Sequence, residues 1–185
     1  MVTSSRAIET ASCPRLGDPT HSQPLWYAAY TCANHEKKAA AEISLRGVES
    51  FLPLYHAIRR WSDRRVELEM PLFPGYVFVH LALPDRSKVL QVPGVVRLVG
   101  FGGLPAALPD DQIEILRAGL NRRLRAQPHP YLTAGRRVRV KSGPMAGMQG
   151  ILLRRRGKFR VVVSIVLIQR AVAVDVDSSD VEVLQ

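Results

Sequence analysis

Cysteine is scarce in this chain. Cys13 and Cys32 are the only two in 185 residues, and neither belongs to a C-x-x-C pair. That excludes a disulfide framework and a zinc ribbon, which both need clustered thiols. Long apolar runs are missing too: none approaches the roughly 20 residues that a membrane-spanning helix requires. The opening stretch MVTSSRAIETASCPRLGDPTHSQP lacks the unbroken apolar segment of a secretory signal. Polar and rich in Ser, Thr and Pro, residues 1–24 read as a disordered tail, and the cytoplasm is the expected location. The histidines at 21, 35, 56, 80 and 129 show no metal-ligand spacing. A G-x-S-x-G elbow and a Gly-rich loop ending in G-K-[ST] are both absent. These absences point to a binding protein rather than an enzyme, with no metal and no cofactor. Acid is the last shortage: 16 Asp and Glu stand against 26 Lys and Arg, a net charge of +10. Such an imbalance favours a polyanionic partner, most often nucleic acid, over a basic surface that is merely solubilising, and no membrane partner is expected.

What is present divides the chain in two. Hydrophobic content of 46% with 23% charged residues suits a folded globular protein. WYAAY (26–30) reads as a first strand, and Asn34 as the cap of a helix running to Arg46, stopped by Gly47. VESFLPLY (48–55) reads as a strand, and IRRWSDRRVELEM as a hairpin turning at Ser62 and Asp63. Pro84 and Asp85 open a short helix that ends at Pro93-Gly94, and VVRLV (95–99) is another strand. Pro109-Asp110-Asp111 begins the clearest helix, whose apolar face carries Ile113, Leu116, Leu120 and Leu124, with arginines toward its end. Residues 126–134, with two prolines bracketing His129, read as a linker between a domain over 25–125 and a second over 135–185. Beyond the linker no helical period appears. RRVRVK, GILLRRR, KFRVVVSIV, AVAVDV and DVEVL are short Val-rich strands spaced as in a small barrel. From Thr133 onward the tail holds ten basic and four acidic residues, a net +6.

Two stretches go beyond folding. In PLFPGYVFVHL (71–81), an extended backbone sends Val77, Val79 and Leu81 to one face and Tyr76, Phe78 and His80 to the other. Ordinary half-wet strands alternate apolar with polar; this one is apolar on both sides and needs cover on both. In IRRWSDRR (58–65), four arginines surround one tryptophan at a hairpin tip. Arginine contacts phosphates, and an exposed indole stacks on an unpaired base.

With both halves in view, the chain resembles the NusG family of transcription elongation factors. The front carries WYAAYTCANHEKKAA, PLFPGYVFV and VPGVVRLVGFGG. The tail, RVRVKSGPMAGMQGILLRRRGKFRVVVSI, resembles a KOW module. The resemblance implies an α+β fold: an N-terminal mixed α/β sandwich, its antiparallel sheet flanked by helices, followed by a small all-β, SH3-like KOW barrel. It also implies a function. The aromatic side of the 76–81 strand would dock the clamp helices of RNA polymerase through Tyr30, Phe73, Tyr76 and Phe78. The docked domain would bridge the DNA cleft and raise processivity. Arg59, Arg60, Trp61, Arg64 and Arg65 would lie toward upstream DNA, and Arg86, Ser87 and Lys88 toward the displaced strand. The KOW barrel would recruit a ribosomal protein or Rho.

The general factor typically carries an S-I-[FL]-G-R turn in that barrel, where this chain reads SIVLIQR (164–170), two residues longer and without the glycine. With RRWSDR and LFPGYVFV, this resembles the operon-specific RfaH-like and UpxY-like antiterminators. The alternatives are a general factor coupling polymerase to the ribosome or Rho, and a ribosome-associated KOW RNA-binding protein; the mixed domain ahead of the module argues against the latter. Some specialised relatives hide the docking cavity under a helical form of the second domain. Here the β-branched runs RVVVSIV and AVAVDV predict a barrel instead, flexibly tethered, with the aromatic cavity accessible in the free protein.

Overall fold

The computed structural model describes residues 23–60, 65–121, 126–129, 135–155 and 158–184. Residues 1–22 of the expected tail lie outside them. The front half is built on four antiparallel strands in the order β2-β5-β1-β6: β1 Leu25–Thr31, β2 Glu49–Phe51, β5 Tyr76–Leu81 and β6 Val95–Leu98. A ribbon of β3 (Leu54–Arg60) and β4 (Arg65–Pro71) extends from it, and its Arg60–Arg65 pairing brackets the expected Ser62-Asp63 turn. Three helices complete this half: α1 Glu36–Leu45, α2 Arg86–Leu90 and α3 Asp110–Asn121.

Period-2 alternation decides which face each residue of β1 and β5 serves. Tyr27, Ala29, Val77, Val79 and Leu81 pack with Ala39 and Ile43 of α1 and Val89 of α2. Burial pushes the Tyr27 phenol above its ordinary pKa. Trp26, Ala28 and Phe78 face the other way, into a cluster with Ile113 and Leu116 of α3. The predicted α3 stripe is therefore correct as far as it is described; Leu124 lies outside the described residues. Gly119 is buried inside the helix rather than breaking it.

The C-terminal half is a six-stranded antiparallel sheet in the order β14-β10-β11-β12-β13-β9. Its strands are β9 Ala126–His129, β10 Arg137–Val140, β11 Gln149–Arg155, β12 Lys158–Ile165, β13 Arg170–Val176 and β14 Val181–Val183. The α+β class, with a β-rich second half, is as the sequence predicts.

Three local expectations are corrected, and one element was not anticipated. Asn34 is not the helix cap: it sits at φ +63, closing the turn after β1, and His35 occupies the cap position. Asparagine tolerates that left-handed region, which competes with its capping role. The expected strand over 48–55 is broken between β2 and β3, where the Pro53 carbonyl accepts the Leu72 N–H. The expected linker is shorter at its start, because Ala126–His129 pairs with β13 from Val174 to Ala171. Pro128 is compatible with that position because β9 is an edge strand. A small hairpin, β7 Gly100–Phe101 with β8 Leu104–Pro105, was not legible as strands; Gly102 and Gly103 both hold positive φ at its turn.

One buried polar contact sets the approach to β5. Glu36, in the first turn of α1, is buried, and its Oε1 accepts the Gly75 N–H at 2.8 Å. The Gly75 carbonyl in turn accepts the Thr31 N–H at 2.8 Å, tying the F-P-G turn to β1. A glycine suits this place, with φ at +84. Glu36→Ala leaves the Gly75 amide without its charged acceptor and should lower unfolding free energy by about 1.5–3 kcal/mol, with Glu36→Gln recovering part of the loss. Urea denaturation of the two variants checks this; equal stability of Glu36→Ala and the parent would show that water replaces the carboxylate.

Candidate functional site

The β1–β5 register places Tyr30 opposite Tyr76 and Ala28 opposite Phe78, so these side chains and Trp26 line one face in a row. Phe73 joins from the turn before β5. Its ring meets Phe78 edge-on at 5.6 Å between centroids, and Phe51 of β2 stacks on the far side of Phe78 at 6.2 Å. The four predicted docking residues are thus brought together. They are not equally available. Phe78 is 0% exposed and Phe73 2%, while Tyr30 is 38% exposed and Tyr76 half-buried.

The face has a closed end and an open end. At the closed end Trp26 stacks on His80 at 5.0 Å. The Arg117 guanidinium of α3 lies 5.1 Å from both the Trp26 and Phe51 rings and bonds Glu49 at 2.9 Å. Glu49 also pairs with His80. This cation, half-shielded between rings and a carboxylate, fastens α3 across the sheet. At the open end the Tyr30 and Tyr76 rings sit 5.5 Å apart, with Arg97 5.9 Å from Tyr30 and Arg170 5.9 Å from Tyr76.

Arg170 belongs to the C-terminal sheet, which covers part of this face. Met145, Met148, Val163 and Ile165 share one apolar cluster with Phe73, Phe78, Ile113 and Leu116. A cavity of about 250 Å³ lies between the two halves, bounded by Asp111, Gln112 and Ile115 on one side and Gly147, Met148, Val163 and Ile165 on the other. The expectation of a freely tethered barrel and an accessible cavity is corrected here. Phe78 looks uncovered in the sequence because its cover comes from α3 and from strands far along the chain. The second domain is nonetheless built of strands, as the β-branched runs predict.

The nucleic-acid candidates fall on separate elements. Arg59, Arg60 and Arg65 lie at the paired end of the β3–β4 ribbon, while Trp61 and Arg64 lie outside the described residues. Arg86, Ser87 and Lys88 are exposed on α2; Lys88 is ion-paired with Asp85 at 2.9 Å. Arg46 of α1 holds this helix by donating to the Lys88 and Gln91 carbonyls. Sequence reasoning missed Arg97, Arg117 and Arg170 as partners of the aromatic row. Their only signal was charge, and nothing local says which ring a distant arginine will meet. Among the described residues no group of three or more His, Cys, Asp or Glu is placed to hold a metal ion, and no helix is long and apolar enough to cross a membrane.

Comparison with known proteins agrees with this architecture. The family model described as transcription termination factor NusG matches residues 24–117. The transcription termination/antitermination protein NusG of Thermus thermophilus is 29% identical over 180 residues, covering 84% of this chain and 96% of that protein. The NusG of Escherichia coli K12 is 29% identical over 172 residues, with 85% and 94% covered. That of Staphylococcus carnosus is 27% identical over 175 residues, with 86% and 95% covered. Among solved structures, one describing domain interaction in Thermotoga maritima NusG superposes with a TM-score of 0.57 at 23% identity, covering 88% of this chain and 98% of that one. The matched span takes in the whole four-stranded sheet, its aromatic row and the start of α3, and the chain belongs to the NusG family of transcription termination and antitermination factors.

Proposed function

We propose that this transcription factor acts in the cytoplasm by docking the aromatic face of its front domain on the clamp helices of RNA polymerase, bridging the DNA cleft and raising processivity. The observation that carries this reading is the open end of the row. Two tyrosine rings side by side, one of them 38% exposed, offer a wide apolar contact with polar tips. Aromatic anchors of this kind suit the apolar ridge of a helix. Phe73 and Phe78 are buried in the cluster on which Tyr76 packs, and act as core. The free energy comes from an interface that favours the elongating polymerase over its paused states, a population shift rather than bond chemistry.

Docking and the C-terminal sheet compete for the same face. Arg170 sits over Tyr76, and Ile115 packs toward the Gly147 turn. The helix pair reaches the row only when that sheet moves aside, so the closed arrangement holds affinity down. The ribbon tip and α2 then meet DNA on either side of the cleft. An operon-specific role, in the manner of the RfaH-like and UpxY-like factors, is supported by the segment between β12 and β13. Val166–Ile168 forms a short 3-10 turn with Val166 exposed, and Gln169 takes a left-handed φ of +49. The general factor's shorter turn has a glycine, and a different tip implies a different partner for the sheet, in place of the usual ribosomal protein or Rho contact.

Three measurements test the proposal. Tyr30→Ala with Tyr76→Ala should weaken binding to an isolated clamp-helix hairpin by about 2 kcal/mol, or about 30-fold, with circular dichroism unchanged. Unaltered affinity would end the docking reading. Ile115→Ser with Arg170→Ala should loosen the sheet from the face and tighten the same binding, by roughly three- to tenfold; no tightening would mean that the two halves do not compete. Replacing Arg59, Arg60, Arg64 and Arg65 by Ser should lower the salt dependence of binding to a nucleic-acid scaffold, by about 0.7–0.9 in log–log slope for each phosphate no longer engaged. A slope equal to the parent's would leave those arginines as solubilising charge.

A further inference from the structure

We infer a second, sequence-independent nucleic-acid contact on the outer face of strand β10, made by Arg137, Arg139 and Lys141 to a phosphodiester backbone. This site is separate from the docking face and does not rest on it. The alternation RVRVK sends Val138 and Val140 inward, where they are buried, and leaves Arg137, Arg139 and Lys141 exposed on the opposite side. Arg136, next to them, is exposed as well. Alternate residues of a strand stand about 6.6 Å apart, so Arg137, Arg139 and Lys141 present their charges at regular intervals that a polyanionic backbone can meet.

The strip carries no ion pair of its own. Four other described cations do find carboxylates: Arg160 with Asp175, Arg117 with Glu49 and Glu114, Lys88 with Asp85, Lys37 with Glu69. Among the described residues no ion pair or side-chain hydrogen bond engages Arg136, Arg137, Arg139 or Lys141. The acids nearest in register are Glu182, opposite Arg139 on β14, and Asp180, opposite the end of the strip. Among the described residues neither forms an ion pair, and the Asp180 carboxylate accepts a hydrogen bond from the Ser142 hydroxyl. Arg136, Arg137, Arg139 and Lys141 against these two carboxylates leave a net positive ridge. An anionic membrane would suit it less well, because the apolar residues of β10 are turned inward and none flanks the cations to enter the lipid. Because Val138 and Val140 belong to the cluster shared with the front half, the ridge faces away from that contact. It stays available whether or not the sheet sits on the aromatic row.

The test uses the full chain and fluorescence anisotropy with a labelled single-stranded RNA, a single-stranded DNA and a duplex DNA, all of mixed sequence, across a salt series. Arg137→Gln with Arg139→Gln should weaken binding to at least one probe and lower its log–log salt slope by about 1.4 on a single strand or 1.8 on a duplex. The probe that loses most identifies whether RNA or DNA is the partner. Arg137→Lys with Arg139→Lys should keep the parental slope, which separates charge from fold. Lys37→Gln with Lys38→Gln removes the same charge from α1 and should leave the slope within about 0.3 of the parent. The inference is overturned if the Gln pair keeps the parental slope on all three probes, if the α1 control falls equally, or if only binding to phosphatidylserine vesicles responds. Clamp-helix affinity of the Gln pair measures the docking reading separately and should not change.

Discussion

Strand β5 is apolar on both faces, and the front half is arranged around covering it. An element of this kind is stable only where two separate layers bury its two sides. On one side α1 and α2 close over Val77, Val79 and Leu81 completely. On the other the cover is composite. α3 crosses over Trp26 and Phe78, pinned by Arg117 between two rings and Glu49, and the rest is left to the C-terminal sheet. The same strand thus carries a permanent core on one side and a divisible interface on the other. Full burial of Phe78 means that truncating it would cost about 3–5 kcal/mol in stability, so in the proposed docking it acts only through Tyr76, which packs on the same cluster.

This division explains where the energy of the closed arrangement resides. The surfaces that meet across it belong to a helix and a sheet that each have their own hydrogen-bonded backbone, so separating them breaks no ladder. Separation divides the apolar cluster that Ile113 and Leu116 share with Met145 and Met148, parts Ile115 from the Gly147 turn, and removes one arginine from over a tyrosine. A helix-borne apolar ridge on the same rings would restore packing of the same type. In the proposed docking, closed and docked forms are exchangeable in kind, which is the condition for one to regulate the other.

Much of this is legible in the residues. Period-2 alternation separates the faces of β5 and of β10, the helical stripe of α3 is visible in Ile113 and Leu116, and the β-branched tail announces strands. The errors share a cause. Asn34 reads as a cap because local propensity does not report a turn already closing on Cys32. Pro128 reads as linker because prolines avoid central strands, yet β9 needs only an edge. Phe73 and Phe78 read as open because their cover is distant in sequence. Local rules fix which side a residue faces and are silent on what arrives there.

The C-terminal sheet follows the same period but divides its labour differently. In β10 one side chain in two builds the inner packing and the other stands in water with its charge unmatched. Both outcomes follow from a single alternating run, so neither interferes with the other: Val138 and Val140 stabilise the sheet whatever its outer face meets, and Arg137 and Arg139 contribute nothing to the core. Four unscreened cations repel one another, a small cost that salt reduces and that a polyanion converts into attraction by releasing its counterions. Holding these cations side by side without ion pairs gives up a little stability in isolation, which a polyanion at the inferred contact would recover.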